Sequence, residues 1–202
     1  MADAAHQPHP LTIAEYDRFV EAQHDDREWE LVEGELVMMG NPTENHEQIV
    51  GNVGAPLKLA MDAAGCRSDQ GGMRVQCSSD SRGKDKTKPD IVVRCGPRQN
   101  QTSVTDPLVV VEVLSPSTMD HDRGGKLKFY KSIPTLRHIA LIYQDQIRVE
   151  HYERTEEGWR LDVLTSPSTV LRFDAVDFEI ALDCIYFDVP VLRPIMDTGY
   201  TR

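Results

Sequence analysis

Residues 108–114 read LVVVEVL, and they contain the feature from which the fold can be inferred. The run is almost entirely apolar and of strand length, which is typical of a strand covered on both faces. Glu112 interrupts it and shares one face of the strand with Val110 and Leu114. Because a buried carboxylate is costly unless it is paired, we expect Glu112 to contact a cation or to bind a metal.

A second carboxylate lies in the stretch KPDIVV, residues 88–93. If strand 89–94 turns back onto strand 108–114 about a midpoint near residue 101, position 94 meets 108 and Asp90 lies opposite Glu112. Directly opposed residues point to the same face with neighbouring Cβ atoms. The long connection does not determine this register, which is therefore a hypothesis. Two carboxylates so close repel each other, so a divalent cation or a lysine is expected beside them.

The composition predicts one soluble domain. The chain has 202 residues, 40% of them hydrophobic, and a net charge of −11. We assign residues 11–190 to the domain and residues 1–10 and 191–202 to tails. No apolar run is long enough for a membrane span and the N-terminus lacks a signal-peptide core, so we expect a cytoplasmic protein without membrane contact. The negative charge argues against a strongly basic nucleic-acid coat, but not against a locally positive cleft.

The four cysteines, Cys66, Cys77, Cys95 and Cys184, form no close pair of the zinc-ribbon type. We therefore interpret them as reduced and mostly buried thiols, without a disulfide.

The N-terminal half is predicted to contain two helices and a hairpin. Thr12 and Glu15 form a capping box for a helix that ends near residue 22. Residues 29–38 read as a hairpin that turns at Glu33-Gly34. A second helix, capped by Thr43, runs to Gly65, and we expect a kink or break at Gly54 and Pro56.

Further strands are predicted after this helix. Residues 73–77 alternate as a half-buried strand, and residues 78–87 form a polar loop. Three later strands form an antiparallel meander: residues 136–143, 147–152 and 159–164. Residues 170–188 mix short strand-like pieces with a helical turn.

A short helix follows the central strands and carries two lysines, Lys126 and Lys128. They lie about 200° apart on a helix, so they cannot both face one site. Lys126 shares a helical face with Tyr130, and Leu127 is expected to pack against the sheet.

Several motifs resemble the Uma-two family of restriction-endonuclease-like proteins over about residues 11–190. They are ELVEGEL at 30–36, Pro42 and His46 near a helix start, PDIVV at 89–93, VEVLSPST at 111–118, and Asp122-Arg123 followed by Lys126 and Tyr130. The family is similar in fold to PD-(D/E)xK nucleases. The resemblance implies an α/β (α+β) fold, with a restriction-endonuclease-like mixed β-sheet flanked by helices, an N-terminal hairpin and a C-terminal antiparallel meander.

The resemblance also implies an activity and the residues that perform it. The activity is hydrolysis of phosphodiester bonds in DNA by an endonuclease that uses Mg²⁺, or alternatively Mn²⁺. Asp90 and Glu112 are the implied metal ligands and catalytic acids. The general nuclease motif has a lysine two residues after the acid, but Leu114 stands there, and Lys126 matches the lysine that the family has on the following helix. Accessory candidates are His46, Glu30 and Lys128, the last as a substitute for Lys126.

Other interpretations remain open. The chain could be a non-catalytic binding module that keeps the nuclease fold, or an enzyme for another phosphodiester or a nucleotide. Arg82, Lys84, Lys86 and Lys88 alternate along one loop, where they either hold a phosphate backbone or are solvated. Arg137-His138 departs from the acidic-aromatic pair usual in the family. Since many nucleases of this fold act as dimers, a homodimer is an expectation by analogy.

Overall fold

The structure is a computed structural model that describes residues 9–98, 100–115 and 122–191. The predicted tails lie outside these ranges except for residues 9, 10 and 191, and their assignment stays a prediction. In chain order the elements are α1 (Ile13–Glu21), β1 (Trp29–Val32), β2 (Glu35–Met38), α2 (Glu44–Ala63), β3 (Cys66–Gln70), β4 (Arg74–Gln76), β5 (Lys86–Thr87), β6 (Ile91–Cys95), β7 (Ser103–Val104), β8 (Val109–Leu114), a π-helical turn (Asp122–Lys126), α3 (Leu127–Ser132), β9 (His138–Tyr143), β10 (Val149–Thr155), β11 (Gly158–Leu164), β12 (Val170–Phe173), a 3-10 turn (Asp174–Val176), β13 (Phe178–Ala181) and α4 (Leu182–Ile185).

The centre of the fold is a mixed six-stranded sheet with the order β11-β10-β9-β8-β6-β3. Only β8 and β9 run parallel in it; the other neighbours, including the meander β9-β10-β11, are antiparallel. A second sheet has the order β2-β1-β5-β4-β7, and β12 pairs with β13. The predicted mixed sheet with an N-terminal hairpin and a C-terminal meander is confirmed. No helix in the described ranges is long and apolar enough to cross a membrane.

The register of the two central strands agrees with the hypothesis from the sequence. Ile91 pairs with Val111 and Val93 with Val109 in the antiparallel ladder of β6 and β8. The same register, continued by one residue, sets Asp90 opposite Glu112. The two carboxylates therefore lie at the same end of the central sheet.

Helices cover both faces of this sheet. On one face α2 buries Ile49, Val53, Leu57 and Met61 against alternate residues of β6 and β8. On the other face α3 contributes Leu127 and Tyr130 to a second apolar cluster with Val110 and Leu114. The expected burial of Leu127 is confirmed. Coverage on both faces explains why β8 is apolar along nearly its whole length.

The hairpin turns where the sequence predicted. Glu33 and Gly34 have φ values of 50° and 83°, the left-handed conformation that a tight hairpin requires. A Cβ on Gly34 would lie 2.5 Å from Cβ of Pro10, so only glycine fits. The capping box of Thr12 and Glu15 starts α1 as predicted.

Of the kink or break expected in α2, the break is wrong. Thr43 caps this helix as predicted, but the helix continues through Gly54 and Pro56 to Ala63. A proline inside a helix costs about 3 kcal/mol, because one hydrogen bond is lost and the ring crowds the carbonyl four residues before it. The apolar stripe that α2 buries on the central sheet offsets this cost, because tertiary packing supplies most helix stability in proteins.

The interpretation of the cysteines is also wrong. Cys66 and Cys95 pair across β3 and β6 with their Cα atoms 4.2 Å apart, and they form a disulfide. Cys77 and Cys184 are exposed rather than buried. The pairing could not be seen in the sequence because β3 reads CRSDQ, a polar segment that carries no strand pattern. The predicted loop 78–87 likewise ends in a short strand, β5, whose residues Lys86 and Thr87 are buried.

A buried histidine pair lies on the α2 side of the sheet. Nε2 of His138 accepts a hydrogen bond from the backbone N–H of Ala175 at 3.1 Å, so its proton is on Nδ1. That Nδ1 lies 3.1 Å from Nε2 of His151, which must therefore accept. Burial and the neighbouring His151 lower the pKa of His138 to about 4. Both rings are thus held neutral, away from the two carboxylates.

This pair predicts a loss of stability in mild acid. His138 takes up a proton in the unfolded chain near pH 6.5 but not in the folded protein, so the free energy of unfolding falls as pH drops below that value. The contribution reaches about 2 kcal/mol at pH 5. Urea unfolding at pH 7 and pH 5 should show a smaller decrease for His138→Gln than for the wild type. The exposed His24→Gln is the control, and equal decreases for all three proteins would contradict the prediction.

Candidate functional site

A cavity of about 620 Å³ opens where β6 begins and β8 ends. The hairpin β1-β2, the start of α2 and the π-helical turn form its walls. It contains five of the six residues singled out from the sequence: Glu30, His46, Asp90, Glu112 and Lys126. The sixth, Lys128, does not line it.

Glu112 is 4% exposed, and donors from Tyr130 and Lys126 hold its carboxylate. Its Oε1 accepts a hydrogen bond from the hydroxyl of Tyr130 at 2.5 Å and lies 2.8 Å from Nζ of Lys126. Burial and the charge of Glu112 raise the pKa of Tyr130 well above its usual range, so the phenol keeps the proton that it donates. The expected cation beside Glu112 is therefore a lysine, and Tyr130 is a partner that the sequence did not reveal.

Lys126 bridges two buried acids. Besides contacting Glu112, its Nζ lies 3.1 Å from Oε1 of Glu30 in β1. The same Glu30 oxygen accepts the backbone N–H of Lys88 at 2.6 Å, just before Asp90 in the chain. Glu30 thereby links the hairpin to both Lys126 and the segment that carries Asp90.

Lys128 points elsewhere. Its side chain is 79% exposed, and Nζ lies 2.5 Å from Glu33 in the hairpin turn. The sequence argument that the two lysines cannot face the same site agrees with this geometry, which places Lys126 inside and Lys128 outside.

Gly125 allows the turn before α3 to approach the hairpin. At Gly124, with φ −95° and ψ −105°, the backbone departs from helical geometry just before α3. A Cβ on Gly125 would lie 2.6 Å from Cγ1 of Val32 in β1. The turn therefore packs directly against β1, and Lys126 follows at once.

Asp90 is held by the adjacent strand β8 and by α2. Its Oδ2 accepts the backbone N–H of Val113 at 2.7 Å, and Oδ1 lies 3.2 Å from Nε2 of His46. Burial acts to lower the pKa of His46, but the hydrogen bond and charge of Asp90, together with Glu47, raise it above its usual value. The positive form of His46 is therefore favoured beside Asp90.

Asp90 and Glu112 supply part of the set of ligands that a hard cation requires. Both carboxylates present oxygen atoms, the ligands that Mg²⁺ and Mn²⁺ prefer. Within the described ranges, no three histidine, cysteine, aspartate or glutamate side chains converge as a complete metal site. A cation there would thus need backbone, water or substrate oxygens as well, as is usual for Mg²⁺.

The comparisons with known proteins identify the family. The family model of Uma2, described as "Putative restriction endonuclease", matches residues 13–183. The chain belongs to the Uma2 family. This membership supports a general class of activity, that of a nuclease-type hydrolase, and a general class of substrate, nucleic acid.

Two sequence relatives and one solved structure are similar to this Uma2 protein. An uncharacterized protein of Synechocystis sp. is 29% identical over 189 residues, which cover 92% of this chain and 97% of the relative. A second uncharacterized protein of that organism is 28% identical over 168 residues, covering 81% and 92%. A crystal structure of a "putative nuclease belonging to DUF820" from Anabaena variabilis ATCC 29413 has a TM-score of 0.69 at 18% identity, covering 88% of this chain and 98% of that one. The last likeness shows a shared fold.

Most of the basic loop and His138 lie apart from this site, whereas Lys88, at the end of that loop, lines the cavity. In the basic loop, Lys86 pairs with Asp17, Lys88 with Glu28 and Arg82 with Asp80, so three of its four cations are paired with carboxylates. His138, at the departure from the family pattern, is buried on the α2 side. The SPST motif lies outside the described residues beyond Ser115.

The bridging position of Lys126 predicts its contribution to stability. Lys126→Met leaves Glu30 and Glu112 buried without their shared cation, so we expect the free energy of unfolding to fall by about 3–5 kcal/mol. Lys128→Met removes an exposed pair and should change it by less than about 0.5 kcal/mol. Urea unfolding in chelator at pH 7 compares the two. Equal losses would mean that Lys126 is not the shared partner.

Proposed function

We propose that this Uma2 protein is a Mg²⁺-dependent endonuclease that hydrolyses phosphodiester bonds in DNA. One observation supports this most strongly: two carboxylates, Asp90 and Glu112, lie opposite each other on adjacent strands in an open cavity, with the ammonium of Lys126 beside them. Such an arrangement is costly for folding alone, because like charges repel and burial is unfavourable. Family membership supports the same class of reaction.

Asp90 and Glu112 would hold the metal, together with the backbone carbonyl of Val113. Mg²⁺ is the proposed ion and Mn²⁺ the alternative. When bound, the ion supplies polarisation of the scissile phosphate and a lower pKa for the attacking water.

The side chains of the protein would do the remaining work. Lys126 would orient the water or neutralise the charge that develops on the phosphate oxygens, since its Nζ is already held at Glu112. Tyr130 keeps Glu112 in place by its hydrogen bond. The N–H of Val113 and His46 keep Asp90 in place. Such fixed donors and acceptors reduce the reorganisation that the reaction requires.

The proposed metal site predicts divalent-cation binding that depends on both acids. Isothermal titration with Mg²⁺ or Mn²⁺ should show binding to the wild type and a loss of at least about tenfold in affinity for Asp90→Asn and for Glu112→Gln. Both variants keep side chains of nearly the same shape. Glu157→Gln removes an exposed acid elsewhere and serves as the control. Binding that all four proteins share would exclude the site.

The assignment of the lysine predicts a selective loss of cleavage. Lys126→Met should cut plasmid DNA about 100-fold more slowly, as expected when one contact to developing charge is removed. Lys128→Met should cut at the wild-type rate. Both are assayed in Mg²⁺ at a temperature where circular dichroism shows them folded and titration shows metal bound. An inactive Lys128→Met protein beside an active Lys126→Met protein would assign the catalytic role to Lys128 instead.

A non-catalytic binding module is the second candidate. It is favoured by the absence of a preformed three-residue metal site among the described residues and by the net charge of −11. A plasmid-nicking assay with Mg²⁺ and with chelator separates the two. Nicking that chelator abolishes supports the nuclease, whereas wild-type protein that cuts no DNA or RNA favours the binding module.

A further inference from the structure

Glu150, in β10, is an almost fully buried acid outside the proposed catalytic site. It is 1% exposed. Its Oε1 accepts hydrogen bonds from the hydroxyl of Tyr143 at 2.8 Å and from Nη2 of Arg148 at 2.9 Å, and it lies 3.2 Å from Nη2 of Arg123. Its Oε2 accepts from the hydroxyl of Tyr152 at 3.3 Å. Burial acts to raise the pKa of Glu150, but Arg148, Tyr143 and Arg123 together lower it, so the carboxylate is ionised.

Among the side chains that the structure describes, the charges around Glu150 do not balance. Two guanidinium groups share one carboxylate, whereas Lys128 with Glu33 and Lys88 with Glu28 are single pairs. The carboxylate is buried, but the side chains of Arg123 and Arg148 are 47% and 33% exposed. Glu150 therefore lies beneath two arginines that present a surplus positive charge to solvent.

The donors of these arginines are not used up by Glu150. Arg123 and Arg148 each contact the carboxylate through one terminal nitrogen, Nη2, whereas a guanidinium has five N–H donors. The buried Nε of Arg148 has no hydrogen-bond partner among the described residues. Guanidinium groups bind phosphate oxygens with paired hydrogen bonds, so a solvent anion fits the exposed parts of these two partly exposed arginines.

The arginines lie on the same side of the sheet as the proposed catalytic site. Glu112 pairs with Leu141 in β9, and Leu141 pairs with Glu150, so the three residues form one row across the strands. Neighbouring strands are about 4.8 Å apart, which puts Glu150 about 10 Å from Glu112 along the row. Arg123 also belongs to the π-helical turn that ends at Lys126.

We propose that Arg123 and Arg148, held by Glu150, form a subsite for a backbone phosphate of the DNA strand being cut. Successive phosphates of a DNA strand are farther apart than the axial rise of about 3.4 Å, so a distance of about 10 Å corresponds to a phosphate one or two nucleotides from the scissile one. The subsite rests on the proposed function, because it assigns a position on the same substrate. The two arginines supply a local positive charge for the DNA, although the whole protein has a net charge of −11.

Binding of DNA in chelator tests the subsite without any cleavage. The affinity for a fluorescein-labelled oligonucleotide is measured by anisotropy at several salt concentrations for wild type, Arg123→Gln and Arg148→Gln. Each variant should lose about one counterion from the slope of log affinity against log salt, and bind about 3–10-fold more weakly at low salt. Arg172→Gln removes an exposed arginine paired with Glu179 and should match the wild type.

Two further variants separate phosphate binding from folding. Arg148→Gln/Glu150→Gln removes the buried acid together with one of its cations. Less buried charge is left unpaired than in Arg148→Gln, so a loss of the salt-dependence slope is easier to separate from misfolding. Arg148→Lys keeps the charge but not the paired hydrogen bonds, so it should retain the slope and bind with intermediate affinity. Urea unfolding checks that each variant is folded under the assay conditions.

The outcomes are distinct from those for the nuclease itself. Folded Arg123→Gln and Arg148→Gln proteins that bind DNA with the wild-type affinity and slope would overturn the subsite, even if the wild type cuts DNA. Wild-type protein that binds no oligonucleotide would overturn it as well. A selective loss of slope would support the subsite even if no cleavage were found, and the proposed function would then fail alone.

Discussion

The buried carboxylate of Glu112 is the constraint on which the arrangement around it depends. An acid inside an apolar strand is stable only with compensating donors, and here these are the hydroxyl of Tyr130 and the ammonium of Lys126. Lys126 is itself buried and needs a second acid, which Glu30 supplies from β1. Glu30 then holds the backbone of Lys88, two residues before Asp90. One buried charge thereby connects the hairpin, both central strands and α3.

The two opposed acids are held from opposite faces of the sheet. His46, from α2, contacts Asp90, whereas Lys126, from the turn before α3, contacts Glu112. The site therefore exists only where the end of the central sheet brings both helical layers together. Its polar groups are fixed by neighbours before any substrate arrives, which is the condition under which electrostatic stabilisation of a transition state is strongest. Glu150, two strands from Glu112 across the sheet, is also a buried acid that fixes cations in place, here the partly exposed Arg123 and Arg148.

Much of this could be predicted from the sequence, because apolar patterning is strong in the central strands. The runs around Asp90 and Glu112 predicted β6, β8 and their register, and helical phase separated Lys126 from Lys128. The rest depended on tertiary contacts. The polar strand β3 and its disulfide partner carry no local signal, and the packing of α2 overrides Pro56. Glu150 lies in an alternating strand, where a buried acid looks the same as a solvated one.

The most direct test of the central claim, that Asp90 and Glu112 together hold one divalent cation, is anomalous diffraction from crystals of the protein soaked in Mn²⁺. An anomalous peak is expected within coordination distance, about 2.0–2.3 Å, of carboxylate oxygens from both residues. The peak should disappear in Glu112→Gln crystals soaked in the same way. A wild-type map without a peak between these carboxylates, with Lys126 still on Glu112 at saturating Mn²⁺, would contradict the account.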